Sequence, residues 1–171
     1  MKRYWLLLFF PLYLLGNTNE DWIEYHSRQG GCSLLFPELP SHIKEHIALG
    51  EHSTLPYDVY VANHQESIFL LLIAHYPMEL TKEQADKGLQ GFIQGLLFHK
   101  QEEIVENRFT PNKEKNWIDF FLKTKNRILQ GKAFIVGNKL YLLAVEGSVN
   151  GYQKEIPNKF LQSFVLKQKQ N

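Results

Sequence analysis

The chain has 171 residues, with 19 Lys and Arg against 18 Asp and Glu, and this balance leaves no electrostatic footprint for nucleic acid or an anionic membrane surface. Its single cysteine, Cys32, excludes an intramolecular disulfide. The length suits one domain whose core is large enough to fold without disulfides or a structural metal.

Lys2 and Arg3 precede an apolar run from Tyr4 to Leu15, broken only by Pro11 and ended by Gly16. The run is about twelve residues, roughly 18 Å as a helix, and falls short of a hydrocarbon core of about 30 Å. This is the layout of a secretory signal peptide, placed over 1–18, with one α+β domain over 19–171 and an exported product, periplasmic or secreted. Gly16 and Thr18 are small enough to precede a cleavage point, whereas Leu14 fits the small-residue rule poorly, so an uncleaved N-terminal anchor is the alternative. Glu20, Asp21, Glu24 and Arg28 separate the apolar run from Cys32, which argues for a small buried thiol there rather than a lipid anchor.

In the domain, Trp22 to Ser27 and Cys32 to Phe36 read as a hairpin through Gln29, Gly30 and Gly31, stopped by Pro37 and Pro40. Ser41 to Leu49 and Thr54 to Asn63 follow as strands around Gly50 and Glu51, the second through the alternation of Leu55, Tyr57, Val59 and Val61 with Pro56, Asp58, Tyr60 and Ala62. Ile68 to Ala74 is apolar at every position and predicts a strand covered on both faces. Thr81 with Gln84 starts a helix that carries Ala85, Leu89, Phe92, Leu96 and Leu97 at helical spacing as far as His99. Gly88, Gly91 and Gly95 share one side of it, which predicts close approach of the helix backbone to a sheet.

Glu103 to Phe109, Asn116 to Leu122 and Ile128 to Val136 read as strands, and Gly137-Asn138 turns the last into Leu140 to Val145. Gly147 to Gly151 reads as a loop. Pro157, at a first helical position, opens a short amphipathic helix with Phe160, Leu161 and Phe164 on its apolar side. The expected architecture is a single antiparallel sheet sandwiched with one long helix and a short C-terminal helix.

Phe36-Pro37-Glu38-Leu39-Pro40, the strand ending in Ala74-His75-Tyr76-Pro77, the Lys139-Leu140-Tyr141 hairpin and the ending Pro157-Asn158-Lys159-Phe160-Leu161-Gln162-Ser163-Phe164 resemble a group of exported bacterial domains. That group is similar in layout to the photosystem oxygen-evolving protein PsbP and the Ran-binding protein Mog1. The resemblance covers most of the mature chain. It implies an α/β/α layout and a binding or assembly-assisting role, and it brings no catalytic motif.

Several constellations bear on chemistry. His42-Ile43-Lys44-Glu45-His46 spells the H-x-x-E-H pattern of inverted zinc peptidases, which requires a helix so that both histidines grip one metal. Pro40 ahead of it and the alternation of Ile43 and Ile47 with polar neighbours favour a strand, in which His42 and His46 stand about 13 Å apart. Cys32 with His75 is a conceivable thiol and base, but no helix N-terminus or adjacent cation is there to activate the thiol. Gly147-Ser148 lacks the spacing of a nucleophile elbow, and there is no phosphate loop or dinucleotide fingerprint.

What remains is a ligand or peptide surface built from aromatic and polar side chains. Tyr57, Tyr60, His75 and Trp117 are the binding candidates, with His64 and Tyr76 nearby in sequence and Asp58, Arg108 and Arg127 able to add charge. The reading that follows is an exported, soluble, monomeric and non-enzymatic domain that binds a protein or small molecule in the cell envelope, with no cofactor and no metal. The alternatives are a secreted hydrolase of thiol or zinc type and a structural envelope protein held by an uncleaved N-terminal helix.

Overall fold

The computed structural model describes residues 21–48, 54–100, 104–112 and 117–167. The signal-peptide reading over 1–18 lies outside these residues.

Among the described residues two sheets form, not one. Strands β1 (Ile23–Ser27), β2 (Cys32–Phe36) and β10 (Val165–Leu166) make a three-stranded sheet with β2 in the middle. Strands β3 (Ser41–Ala48), β4 (Thr54–His64), β5 (Ser67–His75), β9 (Lys139–Ser148), β8 (Arg127–Val136), β7 (Trp117–Thr124) and β6 (Ile104–Asn112) make a seven-stranded antiparallel sheet in that spatial order. The single-sheet expectation fails because the opening hairpin does not continue the ladder. Pro37 and Pro40 interrupt it, and Cys32, Leu34 and Phe36 of β2 are buried against the face of the large sheet.

The large sheet has two apolar faces. On one, Tyr60 of β4, Phe69, Leu71 and Ile73 of β5, and Tyr141 and Leu143 of β9 pack against β2 and against Phe160 and Leu161 of helix α2 (Glu155–Gln162). Phe160 is the keystone there, its ring 5.2 Å from Phe36 and 5.4 Å from Phe69. On the other face, Ala74, Phe120, Ala133, Leu140 and Leu142 pack with Leu89 of helix α1 (Lys82–Lys100). β5 is thus buried on both sides, as its unbroken apolar run requires. The result is three layers, with the small sheet and α2 on one side of the large sheet and α1 on the other.

Local chemistry explains the boundaries. Thr81 and Gln84 form a reciprocal cap at the start of α1, Thr81 N donating to Gln84 Oε1 at 2.9 Å and Gln84 N to Thr81 Oγ1 at 3.3 Å. Gly137 takes φ +60° in the β8–β9 turn, a conformation costly for any residue with a Cβ. The loop after β5 is then pinned to that turn, since Tyr76 N donates to Asn138 O at 2.8 Å and Asn138 Nδ2 to Tyr76 O at 3.0 Å.

Three local expectations are corrected. Of the helix glycines only Gly88 approaches the sheet, a Cβ there lying 3.5 Å from Ile135; nothing lies within 4 Å of one at Gly91 or Gly95. Gly147 and Ser148 belong to β9 rather than to a loop, and a Cβ at Gly147 would stand 2.9 Å from Ser67 Oγ and require that hydroxyl to rotate away. Helix α2 begins two residues before Pro157, which is harmless because a first-turn N–H has no helical partner to lose. β10 escaped the sequence reading, being two residues long and too short for a period.

Candidate functional site

The small sheet and α2 cover the β4, β5 and β9 part of the large sheet. They leave the β6–β8 end open on that side, and strand alternation puts Arg108 and Thr110 of β6, Asp119 and Phe121 of β7, and Gln130 and Lys132 of β8 on that open face. The register sets Arg108 opposite Phe121, Phe121 opposite Gln130, and Asp119 opposite Lys132. The alternate residues Phe120 and Ala133 point into the core on the α1 side. Helix α2 stands at the edge of this patch and closes a recess of about 400 Å³, its wall formed by Lys154, Asn158 and Leu161, with Tyr152 just before the helix. That volume falls in the range of about 300–1,000 Å³ typical of small-molecule sites.

The polar groups of the recess are ordered by a chain of hydrogen bonds. Tyr152 OH donates to Gln130 Oε1, and Gln130 Nε2 donates to Asn158 Oδ1 at 3.2 Å. Burial pushes the Tyr152 hydroxyl up from its ordinary pKa, Arg108 pulls against this and Glu155 adds to it, so the group stays a neutral donor. The Arg108 guanidinium lies 4.5 Å over the Phe121 ring and its Nε is 3.2 Å from Glu106. Lys132 Nζ lies 4.4 Å over Trp117, and the Trp117 indole N–H donates to Asp119 at 3.0 Å. Among the described residues, three cations therefore line the recess against one carboxylate, Asp119.

A second polar cluster lies at the other end of the sheet. Asp58 of β4 is only 4 % exposed, and it receives His42 Nε2 on Oδ1 at 2.7 Å and His75 Nε2 on Oδ2 at 2.9 Å. Burial pushes the Asp58 carboxyl up, but the hydrogen bonds from His42 and His75 and the charge of Lys44, 4.0 Å away, outweigh it and hold the group below its ordinary range. The His42 ring stacks on Tyr60 at 4.4 Å, and Tyr60 OH shares a hydrogen bond of 3.0 Å with Ser27 Oγ. This network fastens three strands of the large sheet to the β1–β2 hairpin. Each histidine spends its Nε2 on the same carboxylate, and among the described residues no group of three His, Cys, Asp or Glu converges as metal ligands would.

No family profile and no curated protein match the chain. Among solved structures it is similar to cyanobacterial PsbP (CyanoP) from Synechocystis sp. PCC 6803, with a TM-score of 0.56 at 11 % identity over 88 % of this chain and 95 % of that one. The fold is PsbP-like.

On this PsbP-like frame the sequence candidates are dispersed. Tyr60 is buried and His75 is bound to Asp58, both on the small-sheet side. Tyr57 and Tyr76 pack on the α1 side. Trp117 adjoins the recess through Lys132 and packs against Phe134 at 6.4 Å. Arg108 lines the recess, whereas Arg127 pairs with Glu146 at 3.3 Å. His42 and His46 lie on the extended strand β3, as the alternation requires, and not on a helix. Cys32 is fully buried, and burial pushes its thiol up to about 11 against the opposing pull of Lys139 and Lys167. That is the wrong direction for a nucleophile.

The residues that sequence reasoning missed are Thr110, Asp119, Phe121, Gln130, Lys132, Tyr152, Lys154 and Asn158. The usable signal was the polar half of the alternation in β7 and β8. Asp119, Gln130 and Lys132 occupy positions whose equivalents in β9 and β5 are Leu143 and Val145, and Leu71 and Phe69.

Proposed function

We propose that this chain is an exported, monomeric, PsbP-like domain that works by binding and not by catalysis, with the recess beside α2 as its contact site for a protein or small-molecule partner in the cell envelope. The observation that carries the reading is the uncovered β6–β8 face. A sheet face that is apolar under the small sheet turns cationic, amide-rich and aromatic where that cover stops, which is the composition of a recognition surface and not of a core. The signal-like N-terminus supports export, and the raised thiol of Cys32 and the strand placement of His42 and His46 weigh against the hydrolase alternatives.

Native mass spectrometry of the protein isolated gently from its own envelope tests this. The expected spectrum shows a chain that starts near Asn17 or Asn19 and carries a defined partner or ligand, lost on Arg108→Glu. A chain that carries stoichiometric zinc, or a hydrolase activity abolished by Cys32→Ser or His46→Ala, would replace the binding reading with an enzymatic one.

A further inference from the structure

Resting on the binding reading above, we infer that the recess between β6–β8 and α2 takes a small organic carboxylate with a flat apolar body. The internal hydrogen bonds of the recess leave several of its donors unspent. Gln130 uses its oxygen for Tyr152 and its nitrogen for Asn158, and this chain fixes the Asn158 amide so that its oxygen accepts and its NH2 faces no partner among the described residues. Lys154, at the N-cap of α2, makes no ion pair among the described residues and carries three further donors. Arg108 spends only Nε on Glu106, and its stacking on Phe121 leaves the terminal N–H groups at its edge. Asp119, the one carboxylate among the described residues of the recess, accepts the Trp117 indole N–H on one oxygen and stands opposite Lys132.

The described side chains of the recess thus offer more unspent donors than acceptors, the acceptors being the Thr110 hydroxyl, the Gln162 amide oxygen and the second oxygen of Asp119, and the complement of a donor-rich, cationic site is a group that only accepts. A carboxylate is such a group, and arginine with an amide reads its planar fork. The apolar part of the recess is aromatic and flat. Phe121, with Tyr152 edge-on to it at 6.4 Å, offers aromatic surface to a ring and no hydrogen bond to a polar body. A hydrated inorganic anion would leave that surface wet.

The test titrates the full chain with benzoate by calorimetry and by amide chemical shifts, with benzyl alcohol as the neutral isostere and inorganic phosphate as the anion without a ring. Saturable benzoate binding is expected, at least tenfold tighter than either control, with shifts at Gln130, Lys154 and Asn158. Asn158→Asp keeps the shape and the bond from Gln130 but turns the free donor into a carboxylate, and Lys154→Glu reverses an exposed charge; each should weaken benzoate at least tenfold, while Lys87→Glu on α1 should not. Equal binding of benzyl alcohol or phosphate, an unaltered Asn158→Asp protein, or no saturation by about 5 mM would overturn the inference. A protein that ignores benzoate yet retains an Arg108-dependent envelope partner would sink this inference and leave the binding reading standing. One that does neither would sink both.

Discussion

Replacing Asp58 with asparagine isolates the polar cluster that joins β3, β4 and β5. The wild-type carboxylate accepts from both His42 and His75 in a site that is 4 % exposed. An asparagine keeps one acceptor oxygen and sets an NH2 against the other imidazole N–H, unless that ring moves its proton to Nδ1. With hydrogen bonds to a charged group contributing about 1.5–3 kcal/mol each, the loss of one predicts a destabilisation of about 2–3 kcal/mol near neutral pH, or roughly 4–12 °C in Tm for a domain of this size.

The pH dependence of that loss carries the sharper test. The Asp58 carboxyl is held below its ordinary range in the folded chain, so its contribution is fully present above the unfolded pKa of about 3.9 and is lost as pH falls through the lower folded value. The stability difference between wild type and Asp58→Asn should accordingly shrink as pH falls from about 5 to 2. Urea unfolding of both proteins across that window measures it, and taking the difference removes the contributions of the other carboxylates. A difference that is constant or grows towards acid would refute the charge-assisted account of the cluster.

Three further outcomes follow from the packing. Phe160→Ala, at a fully buried side chain between Phe36 and Phe69, should cost about 3–5 kcal/mol in denaturant unfolding and loosen α2 from the sheet. Gly91→Ala and Gly95→Ala should each raise stability by up to about 1 kcal/mol, because an added methyl meets nothing within 4 Å and the backbone gains helix propensity; a loss at either position in thermal unfolding would mean that this side of α1 is covered by something in solution. Cys32 should react with iodoacetamide only at the rate of unfolding at pH 8, since its thiol is buried and pushed up to about 11.

The strands were legible wherever alternation or a turn residue marked them. Cys32–Phe36 agrees with the reading to the residue, and the Gly137-Asn138 hairpin and the Thr81 cap lie where local chemistry requires. The destination of the first hairpin was not legible, because whether β2 extends a ladder or folds over a face is decided by contacts with Phe69, Ile73 and Phe160, far along the chain. The same gap hid the recess. Arg108 was visible as a strand charge, but Gln130 and Asn158 meet only because α2 comes to rest over β8, 28 residues from the strand position it bonds. Asp58 shows a third kind of limit. Its charge within an alternating strand was apparent, yet pairing with His42 and His75 depends on the register of two ladders, in which a slip of one residue would turn the carboxylate to the opposite face.

The small sheet has a mechanical consequence. β1 and β10 flank β2 and run antiparallel to it, so the chain enters at Ile23, opposite Phe36, and leaves at Leu166, opposite Cys32, with Lys167 N donating to Gly31 O at 2.8 Å. Tension between the two ends would act along the strands and shear their ladders in parallel, where a hairpin pulled from its open end would yield one bond at a time. A force drawing on both ends at once loads the bonds of both ladders together rather than in sequence.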